Sequence, residues 1–262
     1  MADHIESVRP ITKQAAIVKG AQSLNERRPR DLRTPRRIAT AISIVLAPLS
    51  VGVVRATVPL ASSSGGRAAI AAAAANLAMA RVELVAVVVA SLLLPFAIVG
   101  LTRLVMRRAP VFAMLGGCLA LVGWAMIPSL VTSDAVTYEM ARIGTDSAQF
   151  ASLWEQLNGN FAVNMLFTVF IVGHELGTLL LGIGLARARV VSLWAAAAVV
   201  IGIILHPVSF IVGTRAVDVL AYALVTAGSV AAARAVLITP NDAWDLPPLS
   251  VRGAARTEVI VH

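Results

Sequence analysis

Two ionisable residues, His174 and Glu175, sit side by side in the apolar run "FIVGHELGTLLLGIGLARAR", Phe170 to Arg189. An imidazole next to a carboxylate can relay protons, ligate a metal or hold two helices together. The zinc-protease pattern H-E-x-x-H needs a second histidine four residues on, and position 178 is Thr178, so that chemistry is excluded. Two further groups of the same kind follow: His206 in "IILHPVSF", and Asp218. Imidazole and carboxylate suit zinc, so a metal site built from His174, Glu175, His206 and Asp218 is chemically permitted. Helix counting, however, sets His206 nearer one membrane surface than His174, and the same mismatch counts against a bis-histidine haem. No metal and no other cofactor is assigned from sequence. A retinal-type Schiff base is excluded because the only lysines, Lys13 and Lys19, lie in the amino-terminal tail. Ser209, His206 and Asp218 form a hydrolase triad on paper, but no serine lies in a nucleophile-elbow motif. The structural alternative is that these groups only lock helices, at about 0.6–2 kcal/mol per interhelical hydrogen bond. In that case His206 serves the backbone near Pro207, and Arg55 reaches along its helix to lipid head groups.

The elements that carry these residues are long apolar runs. The chain has 262 residues, 58% hydrophobic and 14% charged, and a mean hydropathy of +0.82. Soluble domains are about 25% charged. Runs of about 20 apolar residues, the length that spans a bilayer core, recur six times, at about 38–60, 82–102, 109–131, 160–186, 190–213 and 216–238. The expected fold class is an all-α, polytopic membrane helix bundle. Residues 1–37 form a basic, disordered tail, 38–238 the six-helix domain and 239–262 a second flexible tail. The alanine-rich "RAAIAAAAANLAMAR" favours helix and is expected to extend span two beyond the bilayer.

All but five of the 22 lysines and arginines fall in segments that alternate with the spans. The exceptions are Arg55, Arg67, Arg81, Arg142 and Arg215. By the positive-inside rule both termini are cytoplasmic. The loop at about 132–159, with Asp134, Glu139, Asp146 and Glu155 against Arg142 alone, then lies outside. Trp124 and Trp154 are expected at the outer interface and Trp194 at the inner one. This distribution also argues against nucleic acid as a partner: the net charge of +8 is spread between spans rather than along one solvated face. Cys118, the single cysteine, lies within an apolar run, so no intrachain disulfide and no Cys-pair metal site exists. No cleaved signal peptide is expected ahead of span one.

Span four is two-faced. At about 100° per residue, Asn160, Asn164, Thr168, Glu175 and Thr178 form one stripe. Gly173, Gly177 and Gly184 form another, suited to close helix packing or to a helix–helix oligomer through Gly173 and Gly177. A charge at the centre of a lipid-facing helix costs about 2.5–3.5 kcal/mol on insertion scales. The polar stripe is therefore expected to face the bundle interior. In span five Pro207 frees the carbonyl of Ile203; in span six Asp218, Tyr222 and Ser229 share a face.

The segment "GHELGTLLLGIGLARARVVSLWAAAAVVIGIILHP" resembles uncharacterised multi-pass membrane proteins common in actinobacteria. Those have a His-bearing helix, a short Ala-Arg-Ala-Arg turn, and a Trp-Ala-rich helix with a late His-Pro. The resemblance covers about 170–238 and implies a helical fold and a bacterial plasma membrane, with no activity to carry over.

These features lead to an integral membrane protein with a polar cavity open to the outer side, engaging a small molecule or lipid in a binding, sensing or transport-accessory role. Glu175 and His174 form its floor, Asn164 and His206 its walls, and Asp218 and Arg215 its mouth. Two alternatives stay open: an intramembrane enzyme acting on a lipid or quinone through the His/Glu/Asp cluster, and a purely structural subunit.

Overall fold

The computed structural model describes residues 31–57, 65–144 and 148–245; most of both expected tails lies outside the described residues. Every regular element among them is a helix. In chain order these are α1 (Arg33–Thr57), α2 (Gly66–Ala75), α3 (Leu77–Met106), α4 (Pro110–Trp124), α5 (Ile127–Ile143), α6 (Ala148–Asn158), α7 (Phe161–Ala188), α8 (Leu193–Val212), α9 (Arg215–Ile238) and α10 (Asn241–Trp244). The span from Pro35 to Pro240 forms one compact unit. Residues 31–34 and 241–245 belong to a second, in which Arg33 pairs with Asp31 and Asp242 and Asn241 donates to Thr34.

Among the described residues, six helical stretches are long and apolar enough to cross a membrane: α1, α3, α4 continued by α5, α7, α8 and α9. Only 28–44% of each one's most apolar window is buried within the chain. Large apolar side chains such as Leu92, Phe96, Phe161 and Ile211 stand exposed on them. Patches of that extent are not stable in water, and the chain is a multi-pass membrane protein.

Two segments depart from expectation. Only the last part of the alanine-rich run, Leu77 to Arg81, extends span two; the rest forms the separate α2. At Asn76 the backbone leaves the helix, and its Oδ1 accepts from Met79 N at 3.1 Å, ending α2 and capping α3. The segment at 132–159, expected as a loop, is mostly helical where it is described: Ile127–Ile143 and Ala148–Asn158 are helices, and only Gly144 and Gly159 fall outside them. Its helices, α5 and α6, pack with α2 around Ile70, Ala73, Met140 and Ala141, flanked by Phe150 and Trp154. Trp154 Nε1 donates to Thr137 Oγ1 at 3.2 Å. Three helices thus form a small cap over one end of the bundle.

Small residues decide how the spanning helices pack. The most extensive interface joins α4 to α7. A Cβ on Gly173 would lie 2.6 Å from Gly123 Cα, and one on Gly177 only 2.2 Å from Ala120 N. The two backbones therefore touch, as small-residue packing allows. The strip that the sequence offers to a second copy meets α4 of its own chain. α8 packs next most closely on α9. The turn between α7 and α8 is short: Arg189 takes the left-handed conformation (φ 51°), and Ser192 caps α8 by accepting from Ala195 N.

Candidate functional site

The α7–α8 hairpin sets the depth of its polar residues. His174 lies fourteen residues before the end of α7, and His206 thirteen after the start of α8. At about 1.5 Å per residue both are about 20 Å from the turn. The mismatch expected from sequence is absent. It came from treating each span separately, whereas in an antiparallel hairpin opposite residues share a level. The two imidazole centroids are 5.7 Å apart.

Both rings are held by their Nδ1 atoms. His174 Nδ1 donates to the carbonyl of Phe170 at 2.7 Å, since a carbonyl oxygen only accepts. The ring stacks on Phe170 at 4.2 Å and meets Trp124 at 4.9 Å. His206 Nδ1 donates to Asp218 Oδ1 at 2.6 Å, while Asp218 Oδ2 accepts from Arg55 Nε at 2.6 Å. Tyr222, fully enclosed, sets its ring 5.1 Å from His206.

With Nδ1 protonated, each neutral ring carries its lone pair on Nε2. Both Nε2 atoms turn to Glu175: Oε1 is 3.2 Å from His174 Nε2 and 3.8 Å from His206 Nε2. His174 Nε2 is buried and makes no hydrogen bond, because its short contact with Glu175 lacks hydrogen-bond alignment. The donor atoms of His174, Glu175 and His206 all lie within 4.8 Å of one another, close enough for the three together to be candidates for holding a metal ion.

Four of the six sequence-predicted residues meet here: His174, Glu175, His206 and Asp218. Asn164 does not. It is exposed, its Nδ2 donating to the carbonyls of Asn158 and Asn160, and Thr168 likewise donates back to Asn164. The part of the polar stripe near the start of α7 therefore faces away from the bundle, opposite to expectation for those residues, while the glycines face into it. Local backbone carbonyls satisfy them close to the helix start, which removes the penalty that was to drive them inside. Only Glu175, part-buried, keeps an inward link. Arg215 heads α9 and lies within electrostatic reach of buried Glu83 on α3, which also feels Asp134 and Arg55.

Three contributors were not foreseen. Arg55, assigned from sequence to lipid head groups, instead pairs with Asp218 and lies 5.1 Å over the Phe210 ring. Its signal is an arginine in span one at the level of an unpartnered acid in span six. Trp124, noted from sequence only as an interfacial aromatic, is buried against Phe170 and His174. Phe170 supplies both a carbonyl and a stacking face.

A groove of about 290 Å³ opens between α7 and α8. Leu176, Leu179, Ile203, Ile204, Pro207, Val208 and Ile211 line it, and Glu175 is its one ionisable wall. It is apolar, where the sequence led to a polar cavity walled by Asn164. Comparison with protein-family models, curated proteins and solved structures gives no match.

Proposed function

We propose that this membrane protein binds an amphipathic, membrane-soluble molecule that enters sideways from the bilayer, lays its apolar part in the α7–α8 groove and sets its polar end on Glu175. The observation that carries this reading is the groove itself. Leu176, Ile204 and Ile211 along it are exposed on spanning helices, so its mouth faces hydrocarbon, and its polar wall is backed by two histidines. Its volume approaches the lower end of small-molecule sites, about 300 Å³. Asp218, held by Arg55, orients His206 behind the carboxylate and so keeps the anchor in one geometry. The arginine-bearing turns support a cytoplasmic position for that end and an outer position for the helical cap. The resemblance noted for 170–238 supports a bacterial plasma membrane.

The test is apolar carboxyl chemistry on chelator-treated protein in lipid nanodiscs. Dicyclohexylcarbodiimide, which dissolves in hydrocarbon, is expected to modify Glu175, read by peptide mass mapping. A water-soluble carbodiimide leaves it untouched, and Leu179→Trp, which fills the groove, suppresses the modification. Equal reaction with both reagents, or none with either, removes the lateral route.

A second reading, an intramembrane enzyme, is favoured by one feature. Asp218 fixes His206 with its free Nε2 toward Glu175, as a general base is oriented by a carboxylate. Turnover of a bound lipid that is lost in His206→Gln, with binding retained, distinguishes catalysis from binding alone.

A further inference from the structure

We infer that His174, Glu175 and His206 bind a divalent first-row transition metal of the zinc class within the membrane. The site overlaps the anchor described above, but the inference does not depend on any molecule in the groove. It starts from a conflict of lone pairs. His174 Nε2, His206 Nε2 and Glu175 Oε1 are all acceptors once the Nδ1 protons are committed to Phe170 O and Asp218. They nevertheless converge at 3.2 and 3.8 Å. Acceptors brought this close without a hydrogen bond between them are relieved by a cation that all of them can reach. A proton satisfies two acceptors; a metal ion satisfies three.

The distances fit. With bonds of about 2.0–2.1 Å, neighbouring donors in a tetrahedral site stand about 3.3 Å apart. The two carboxylate–imidazole separations bracket that value, and all three donors lie within 4.8 Å. The charges fit as well. Asp218 is matched by Arg55, whereas among the described residues the only basic side chains within ion-pair distance of Glu175 are the two histidines. Bonded to a metal through Nε2, the imidazoles would add no charge, and Glu175 would supply the negative one. The outer partners are also of the kind metal sites use: one histidine backed by a carboxylate, the other by a backbone carbonyl. Two histidines and one glutamate leave a fourth position for water or a ligand's polar end.

The test uses the full-length protein in detergent, stripped with chelator and titrated with Co²⁺. One equivalent per chain is expected to raise a visible ligand-field band. The band disappears in His174→Ala and in His206→Ala. Asp218→Asn weakens binding about 10–100-fold, as loss of an outer partner does elsewhere. Because the alanine variants can fail to fold, Cu²⁺ electron paramagnetic resonance on the unmodified protein gives an independent reading: nitrogen couplings from two imidazoles are expected. No equimolar band, a band that survives both alanine variants, or couplings from fewer than two imidazoles overturns the metal site and leaves a proton shared by Glu175 and His174. Glu175 modification by the apolar carbodiimide, read on metal-free protein, is unaffected by that outcome.

Discussion

Asp218 binds two things at once. One oxygen takes the Arg55 guanidinium and the other the His206 Nδ1 proton. Removing one partner of a buried ion pair costs about 3–5 kcal/mol, whereas replacing both by apolar side chains is often close to neutral. Asp218→Asn should therefore lower the thermal unfolding temperature in detergent markedly. The double variant Arg55→Met, Asp218→Leu should recover much of that loss; strictly additive losses would show that the two do not act as a pair. His174, Glu175, His206 and Asp218 were legible in sequence because an ionisable group inside an apolar run stands out. Arg55 was not, because a long side chain near a span's end has a cheap alternative in the head groups. Asn164 misled for the converse reason, since an amide close to a helix start can be satisfied by the backbone beside it.

The α4–α7 crossing sets the positions of Trp124 and His174, and it depends on glycines that leave no space. Gly177→Ala would place a methyl 2.2 Å from Ala120 N, so the helices must separate. Overpacking of this kind costs about 1–3 kcal/mol. Trp124 fluorescence should change with it as the indole loses His174. Gly144→Ala, where nothing lies within 4 Å, should leave both stability and fluorescence as they were. Equal behaviour of the two variants would remove the crossing as a determinant of the site. The six spans were legible from run length alone, and the glycine strip from its spacing. Which helix the strip would meet was not, because sequence periodicity names a face and not its neighbour. The Asn76 break was hidden by the strong helix propensity of the alanines around it, which one capping side chain overrides.

Among the described residues, Arg103, Arg107, Arg108, Arg187 and Arg189 gather where α3 and α7 end, and the α2–α5–α6 cap lies toward the start of α3. Single-cysteine labelling tests the proposed orientation in a Cys118→Ser background. Ser152→Cys on α6 should react with a membrane-impermeant maleimide in intact cells. Arg189→Cys in the α7–α8 turn should react only after permeabilisation; the reverse pattern inverts the topology. The charge bias was readable from sequence, whereas the cap's structure was not. Its helices are short and partly polar, and their apolar contacts form only when Ile70, Met140 and Trp154 come together.

One consequence of the matched hairpin concerns chain length. All three Nε2 and carboxylate donors sit on two antiparallel rods joined by a tight turn, so their convergence is a matter of counting residues from Arg189 in both directions. A residue added between Glu175 and the turn would swing His174 and Glu175 about 100° around the axis of α7, scattering the trio with every side chain still present. The same addition near Ser152, on the cap, would leave the trio intact. In this protein the arithmetic of one loop-to-loop segment is as much a part of the centre as the imidazoles themselves.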